Sequence, residues 1–366
     1  MNQKGKLVLE DGTTFTGDLF GSQKNISGEV VFNTGMVGYP ESLTDPSYYG
    51  QILSFTYPLI GNYGIPDKAK ENDLLINFES DKIHIKGLVV SSFSEFSNHY
   101  SSQKTFDSWL KEENIPAISG IPTRMLTKIL REKGSMLGKI TLDNDDNIDF
   151  YNPDKENLVK NVSIKEIREY GNLESDIRIV LIDCGVKNNI IRCLTKRKVK
   201  LIVVPWDYDF TNIDHDGVLI SNGPGNPKMC KETIEIVKKV IALNKPILGI
   251  CLGNQILALA SRMNTYKLKY GHRSQNQPCI EKETKRCYIT SQNHGFAVKP
   301  DLEDDWEEWF TNANDGTNEG IRNRRKPFMS VQFHPEGAPG PSDTEYIFDE
   351  FLNIVRQQGF PEIKRR

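Results

Sequence analysis

The chain has 366 residues, of which 37% are hydrophobic and 26% are charged, and its net charge is −3. This length favours two domains, and the charge balance argues against a surface that binds nucleic acid. No apolar run reaches the roughly 20 residues of a membrane-spanning helix, and the six cysteines show no CxxC spacing. We therefore expect reduced thiols in a cytoplasmic protein without a metal site, a membrane partner or a secretory signal.

The first 150 residues favour β-strands. Asp11-Gly12 separates two short runs of alternating apolar residues and predicts a hairpin. Further elements follow in chain order, with strands predicted at 28–35, 51–58 and 86–91 and helices at 105–113 and 123–131. We expect a β-rich α+β domain over residues 1–150, and its residues alone suggest no chemistry.

A polar stretch with weak periodicity follows. It includes Asp143–Asn147 and continues from Tyr151 to Ser175. Such composition is typical of a connection between domains. We predict a linker at residues 151–175, with room for a short helix.

Residues 176–360 show a different pattern, in which short apolar runs alternate with helix-like segments. Strands are predicted at 179–183, 199–204, 217–221 and 247–250, and helices at 188–194 and 232–243. This alternation predicts an α/β domain with a doubly wound, mainly parallel sheet covered on both faces. In such sheets a site lies at the carboxyl ends of the strands.

Cys251 directly follows one of these strands and stands between Gly249 and Gly253, before a helix-favouring run. Glycines at these offsets let strand and helix backbones approach closely, as they do around a nucleophile at a sharp strand-to-helix turn. The unpaired amides of a helix N-terminus would favour the thiolate. On this pattern alone, a buried structural cysteine is an equal alternative.

A possible general base lies downstream. Ser330–Glu336 is predicted as a strand that ends in His-Pro-Glu, and residues two apart on an extended chain face the same way. His334 and Glu336 could therefore act together, because a cysteine nucleophile needs a base and the base needs an orienting acceptor. A second strand end carries Asn222-Gly-Pro-Gly225, either a plain turn or a backbone that offers amides to a ligand.

These residues resemble the class I (triad) glutamine amidotransferases, through Gly249-Ile-Cys-Leu-Gly-Asn-Gln255 and His334-Pro-Glu336. The N-terminal half narrows the resemblance to the small, glutamine-hydrolysing subunit of carbamoyl-phosphate synthases. The blocks that carry it are Phe32-Asn-Thr-Gly-Met-Val-Gly-Tyr-Pro-Glu41 and Tyr57-Pro-Leu-Ile-Gly-Asn-Tyr-Gly64. Asp183-Cys-Gly-Val-Lys187 and Gln292-Asn-His-Gly-Phe296 fit the same family.

The resemblance implies a role for each matching residue. Cys251 matches the nucleophile, His334 the general base and acid, and Glu336 the residue that orients the imidazole. Backbone amides match the oxyanion hole at Gly223 and Leu252. The pocket for the α-amino and α-carboxylate groups of glutamine is matched by Gly35, Gly225, Gln255, Asn293, Gly295 and Phe296.

Two positions depart from the family pattern. Gly35 stands where some bacterial members have a serine that touches glutamine, so only a backbone contact could survive there. Asn254 stands where many members have histidine, a residue that points away from the chemistry, and little effect is expected.

The resemblance also implies a partner, a large ATP-dependent synthetase subunit that uses the ammonia to make carbamoyl phosphate from bicarbonate, for pyrimidine and arginine biosynthesis. No GxxxxGK[ST] loop occurs in this chain, so ATP and magnesium are expected on the large subunit and no cofactor here. Two alternatives remain: a free-standing γ-glutamyl cysteine hydrolase, and a scaffold that has lost catalysis. The presence of Cys251, His334 and Glu336 together argues against the scaffold.

Overall fold

The structure is a computed structural model that describes residues 3–142 and 148–357. The chain divides into two compact units. Unit 1 comprises Met1–Glu156 with Lys269–Ser274, and unit 2 comprises Asn157–Leu268 with Gln275–Arg366. Within the described residues, no helix has both the length and the apolar character needed to cross a membrane.

Unit 1 is built around a closed barrel of seven strands, in the order β1-β2-β8-β7-β4-β3-β9, with a separate two-stranded sheet, β5-β6. The strands are β1 (Lys4–Leu9), β2 (Thr14–Gly21), β3 (Ile26–Asn33), β4 (Gln51–Phe55), β5 (Lys70–Glu71), β6 (Leu74–Leu75), β7 (Gly87–Val89), β8 (Pro116–Ser119) and β9 (Met136–Leu142). The helices are α1 (Tyr39–Thr44), α2 (Phe106–Glu112) and α3 (Thr123–Lys133). The prediction of a β-rich domain is confirmed.

Local sequence explains several of these elements. Strands β1 and β2 form the predicted hairpin, and Gly12 takes the positive φ of +86° that the turn requires. Helix α2 begins where the Thr105 side chain accepts a hydrogen bond from the Ser108 amide, at 3.3 Å. Alternating residues of the strands then bury apolar side chains, among them Leu7, Val30 and Ile140.

The predicted linker does not stand apart from the two units. Residues 151–156 belong to unit 1 and residues 157–175 to unit 2, and Asp143–Asn147 lie outside the described residues. Two short 3₁₀ turns occur in this stretch, at Pro153–Lys155 and Val159–Asn161. Strand β10 (Arg168–Gly171) then pairs with a strand of the sheet in unit 2, so this part of the stretch is held by backbone hydrogen bonds.

Unit 2 holds a ten-stranded sheet. After β10, its remaining strands are β11 (Arg178–Asp183), β12 (Lys200–Pro205), β13 (Gly217–Ile220), β14 (Ile247–Ile250), β15 (Thr265–Glu281), β16 (Cys287–Val298), β17 (Trp306–Asn312), β18 (Asn318–Asn323) and β19 (Phe328–Val331). Its helices are α4 (Asn188–Thr195), α5 (Lys231–Ala242), α6 (Leu252–Ala260) and α7 (Tyr346–Arg356).

The strand order is β10-β12-β11-β13-β14-β19-β18-β17-β15-β16. The five strands β12, β11, β13, β14 and β19 are parallel to their neighbours in this run. Strand β10 pairs antiparallel at one edge, and β18, β17 and β15 extend the other side with antiparallel pairs. The parallel α/β core was predicted, whereas its antiparallel extension was not.

Candidate active site

Cys251 lies at a sharp turn between β14 and α6. Its backbone has φ +55° and ψ −102°, a conformation that costs energy for a residue with a side chain and occurs mainly at functional sites. A Cβ atom on Gly249 would lie 2.6 Å from the carbonyl oxygen of Gly253, and one on Gly253 would lie 2.1 Å from that of Ile220. The predicted close approach of strand and helix is therefore confirmed, and it requires both glycines.

His334 and Glu336 follow β19 rather than lie on it. The prediction of a strand up to Glu336 is wrong, because β19 ends at Val331. Pro335 has no amide hydrogen to continue a strand, and the Gly337 amide instead donates to the His334 carbonyl at 3.1 Å, which closes a turn. The two side chains still meet, since Nδ1 of His334 lies 2.7 Å from Oε1 of Glu336.

A buried lysine contacts this pair, although the sequence did not predict it as a site residue. Nζ of Lys187 donates to Oε1 of Glu336 at 3.0 Å and to the carbonyl oxygen of Gly337 at 2.6 Å. The turn after β11 brings the lysine there, because the Asp183 carboxylate accepts hydrogen bonds from the amides of Gly185 and Val186. The sequence of the Asp183–Lys187 block does not indicate a contact with Glu336, because Glu336 lies 149 residues further along the chain than Lys187.

Burial and charge set the protonation of the site. Burial by itself raises the pKa of Glu336, but Lys187 and His334 outweigh it and hold that pKa well below its usual range. Burial likewise lowers the pKa of His334, whereas the Glu336 carboxylate and the Cys251 sulfur raise it above its ordinary value. Apart from this interaction with the sulfur, Nε2 of His334 has no hydrogen-bond partner among the described residues. The ionised Glu336 carboxylate therefore holds the His334 imidazole in its protonated form, in which Nε2 can donate to the Cys251 sulfur.

Two backbone amides were predicted to form an oxyanion hole, those of Gly223 and Leu252. Gly223 follows β13, and a Cβ atom on it would lie 2.0 Å from the Cys184 carbonyl oxygen and 2.8 Å from a side-chain carbon of Leu252. Leu252 is the first residue of α6. Neither amide donates a hydrogen bond to another residue in the described part of the chain. Neither amide hydrogen is therefore engaged elsewhere in the described residues, as an oxyanion hole requires.

The structure brings several of the predicted pocket residues close to Cys251 or into contact with one another. The Cys251 sulfur lies 3.7 Å from the carbonyl oxygen of Asn293, and Gln255 donates from Nε2 to the carbonyl oxygen of Phe296 at 2.8 Å. Gly295 lies on β16 between Asn293 and Phe296. Gly225 adopts φ +85° beside the Leu158 side chain, within the turn that follows β13.

Gly35 is the one predicted site residue in unit 1. It lies two residues after β3, and its amide donates to Oδ1 of Asn33 at 2.6 Å. Nδ2 of Asn33 in turn donates to the Tyr48 hydroxyl at 2.8 Å. The amide hydrogen of Gly35 is therefore already engaged, so a contact of this residue with glutamine would have to use its carbonyl group.

Two family models match the chain. Residues 180–354 match the family described as "Glutamine amidotransferase class-I". The region that carries Cys251, His334 and Glu336 therefore belongs to that class. Residues 7–140 match the family described as "Carbamoyl-phosphate synthase small chain, CPSase domain". With both matches in this order, the chain belongs to the carbamoyl-phosphate synthase small-chain family.

Curated relatives agree with this assignment. The chain is similar to the "Multifunctional protein CAD" of Squalus acanthias, with 54% identity over 96% of this chain and 16% of that protein. It is 47% identical to "Carbamoyl-phosphate synthase [ammonia], mitochondrial" of Mus musculus, over 96% of this chain and 24% of that protein. The chain thus spans between 16% and 24% of the length of these two relatives. Among solved structures, that of PurLQS from Thermotoga maritima has a TM-score of 0.42 and 16% identity, covering 50% of this chain and 100% of that chain.

Proposed function

We propose that this chain hydrolyses glutamine to glutamate and ammonia through a thioester on Cys251. The observation that carries the proposal is the buried arrangement of Cys251, His334 and Glu336 at the ends of β14 and β19. Attack of the thiolate on the side-chain amide carbon would form a C–S bond. The C–N bond then breaks as His334 gives its proton to the departing nitrogen, and a γ-glutamyl thioester remains.

The second half of the reaction uses the same residues. His334, now neutral, takes a proton from water, which attacks the thioester and releases glutamate and the thiolate. The amides of Gly223 and Leu252 would stabilise the oxyanion in both halves. Gly225, Gln255, Asn293, Gly295 and Phe296 are the residues we assign to binding of glutamine. These steps need no cofactor in this chain.

We further propose that the ammonia passes to a large synthetase that uses ATP and magnesium to make carbamoyl phosphate from bicarbonate, for pyrimidine and arginine biosynthesis. Membership of the small-chain family and the name of the mouse relative support this partner. The synthetase could be a separate large subunit or a further part of the same polypeptide. A cytoplasmic location is also proposed, and the six cysteines, which form no disulfides, are consistent with it.

Substitution of the nucleophile tests the proposal. With the synthetase present, Cys251→Ala should lower glutamine-dependent carbamoyl phosphate synthesis at least about a thousand-fold while leaving synthesis from added ammonium chloride unchanged. Glutamate release and carbamoyl phosphate formation are measured side by side. Cys287→Ala serves as the matched control, because Cys287 is the exposed cysteine of the six.

The mouse relative is named for ammonia, so similarity alone does not decide the nitrogen source. If Cys251→Ala left glutamine-dependent synthesis intact, or if the wild type released no glutamate, the chain would be a scaffold rather than a glutaminase. Loss of the ammonia-dependent reaction as well would indicate a structural role for Cys251. Rapid glutamate release that no synthetase altered would favour a free-standing hydrolase.

A further inference from the structure

A chain of buried amide groups lies beneath the candidate pocket. Oγ of Ser330 donates to Oδ1 of Asn254 at 2.8 Å, and Nδ2 of Asn254 donates to Oε1 of Gln332 at 3.1 Å. The same Gln332 oxygen accepts a second hydrogen bond from Nε2 of Gln255 at 3.0 Å. Gln255 also donates to the Phe296 carbonyl. Ser330, Asn254 and Gln332 are fully buried, so the groups act on one another rather than on water.

Counting donors and acceptors fixes the orientation of Gln255. The Phe296 carbonyl can only accept, so the group that faces it must be the Gln255 NH₂ group. Its second hydrogen goes to Oε1 of Gln332, which must also be an acceptor because Asn254 donates to it. Both hydrogens of the Gln255 amide are thus used inside the protein, and its oxygen, which accepts no hydrogen bond from the described residues, is left for a ligand.

Gln332 itself retains an unfavourable feature. Its Nε2 atom is buried and has no hydrogen-bond partner among the described residues. An unpaired buried donor is costly, and an apolar side chain of similar length would avoid that cost. The position therefore needs the oxygen of Gln332, which is the atom that joins Asn254 to Gln255.

We infer that Gln332, supported by Asn254 and Ser330, is a positioning residue that holds the Gln255 oxygen as an acceptor for the α-ammonium group of the substrate. This inference rests on the proposed glutamine hydrolysis. It gives Asn254 a function in substrate recognition, although its side chain belongs to the network below the pocket. The network should act on substrate binding and selectivity rather than on the thioester chemistry.

Kinetics of Gln332→Met test the inference. This variant keeps the side-chain length but loses the acceptor, so KM for glutamine should rise roughly ten-fold while kcat changes less than about three-fold. A second substrate, 4-carbamoylbutanoate, lacks the α-amino group, and its kcat/KM should change little. Selectivity for glutamine over this analogue should therefore fall roughly ten-fold. Gln332→Glu keeps two acceptors and should retain most of the selectivity.

Thr233→Val is the matched control, because it removes the hydrogen bonds of a buried hydroxyl in the same unit, including a partly buried one to the Trp206 carbonyl, outside the network. It should leave the selectivity unchanged. If Gln332→Met does not fold, Asn254→Leu breaks the same network one step further away and should cause a smaller loss of selectivity. Equal losses for glutamine and the analogue would overturn the inference, whereas the absence of glutaminase activity in the wild type would overturn the proposed function instead.

Discussion

The barrel of unit 1 and the sheet of unit 2 each contain a run of parallel strands, but only one of them gathers reactive groups. In the barrel, β3, β4, β7 and β8 are parallel, and the residues that follow them are Thr34, Thr56, Val90 and Gly120. In unit 2, the residues after β14 and β19 include Cys251 and His334. A parallel sheet edge therefore supplies a place for a site, and the side chains that follow the strands decide whether chemistry occurs there.

Substitution of a buried lysine in unit 2 and of an exposed lysine in unit 1 should give the largest difference between the two units. Lys187→Met removes a cation whose side chain is 3% exposed and leaves Glu336, fully buried, with His334 as its remaining charged neighbour in the described site. The free energy of unfolding should fall by about 3–5 kcal/mol, because the buried Glu336 carboxylate loses one of its two positively charged partners. Denaturant unfolding of the purified variant measures this change.

Lys133→Met in the barrel is the matched control. Lys133 pairs with Asp11 at 2.6 Å, but its side chain is 57% exposed. Water and salt screen such a pair, so its loss should cost at most about 1 kcal/mol. Glutaminase activity should fall in the Lys187 variant alone. Equal destabilisation by the two substitutions would show that the Lys187–Glu336 pair is not special to the site.

Two glycines in equally tight places give a second test. A Cβ atom would lie 2.1 Å from the Ile220 carbonyl oxygen in Gly253→Ala, and 2.2 Å from that of Ser119 in Gly17→Ala. Both variants should be destabilised by about 1–3 kcal/mol, since the backbones must move apart. In Gly253→Ala the movement displaces α6 and Cys251, so kcat of the folded protein should fall about a hundred-fold.

In Gly17→Ala the same displacement occurs within the barrel, and kcat of the folded protein should remain within about two-fold of wild type. Urea titration gives the folded fraction, to which the rate of glutamate release is normalised. If Gly17→Ala lowered kcat as strongly as Gly253→Ala, the barrel would take part in the reaction and the contrast between the units would be lost.

The sequence predicts the parts of the site that depend on local backbone geometry. The glycines around Cys251 indicate a tight strand-to-helix turn because no other residue fits there. The contact of Lys187 with Glu336 could not be predicted, since it joins two turns 149 residues apart and leaves no periodic pattern. The antiparallel strands β15 to β18 were missed for a related reason: their many polar residues hide the apolar alternation on which strand prediction relies.

The contributions of two buried histidines to stability, one in each unit, should change with pH in opposite directions. Burial, with a smaller effect of Lys82 opposed by Asp45, lowers the pKa of His84 in unit 1 to about 4. The folded barrel thus binds this proton less well than the unfolded chain, so His84 should cost stability as the pH falls below about 6.5. Between pH 7 and pH 5.5, wild type should lose about 1 kcal/mol relative to His84→Gln.

His334 in unit 2 has a raised pKa, because Glu336 and Cys251 outweigh its burial. Its contribution to stability is complete below about pH 6.5 and decreases as the pH rises toward the raised value. The advantage of wild type over His334→Gln should therefore shrink from pH 6 to pH 9, as measured by unfolding in urea at each pH. If both histidine variants gave slopes of the same sign, His334 would not be protonated in the folded protein, and the acid assigned to the departing ammonia would have to be another group.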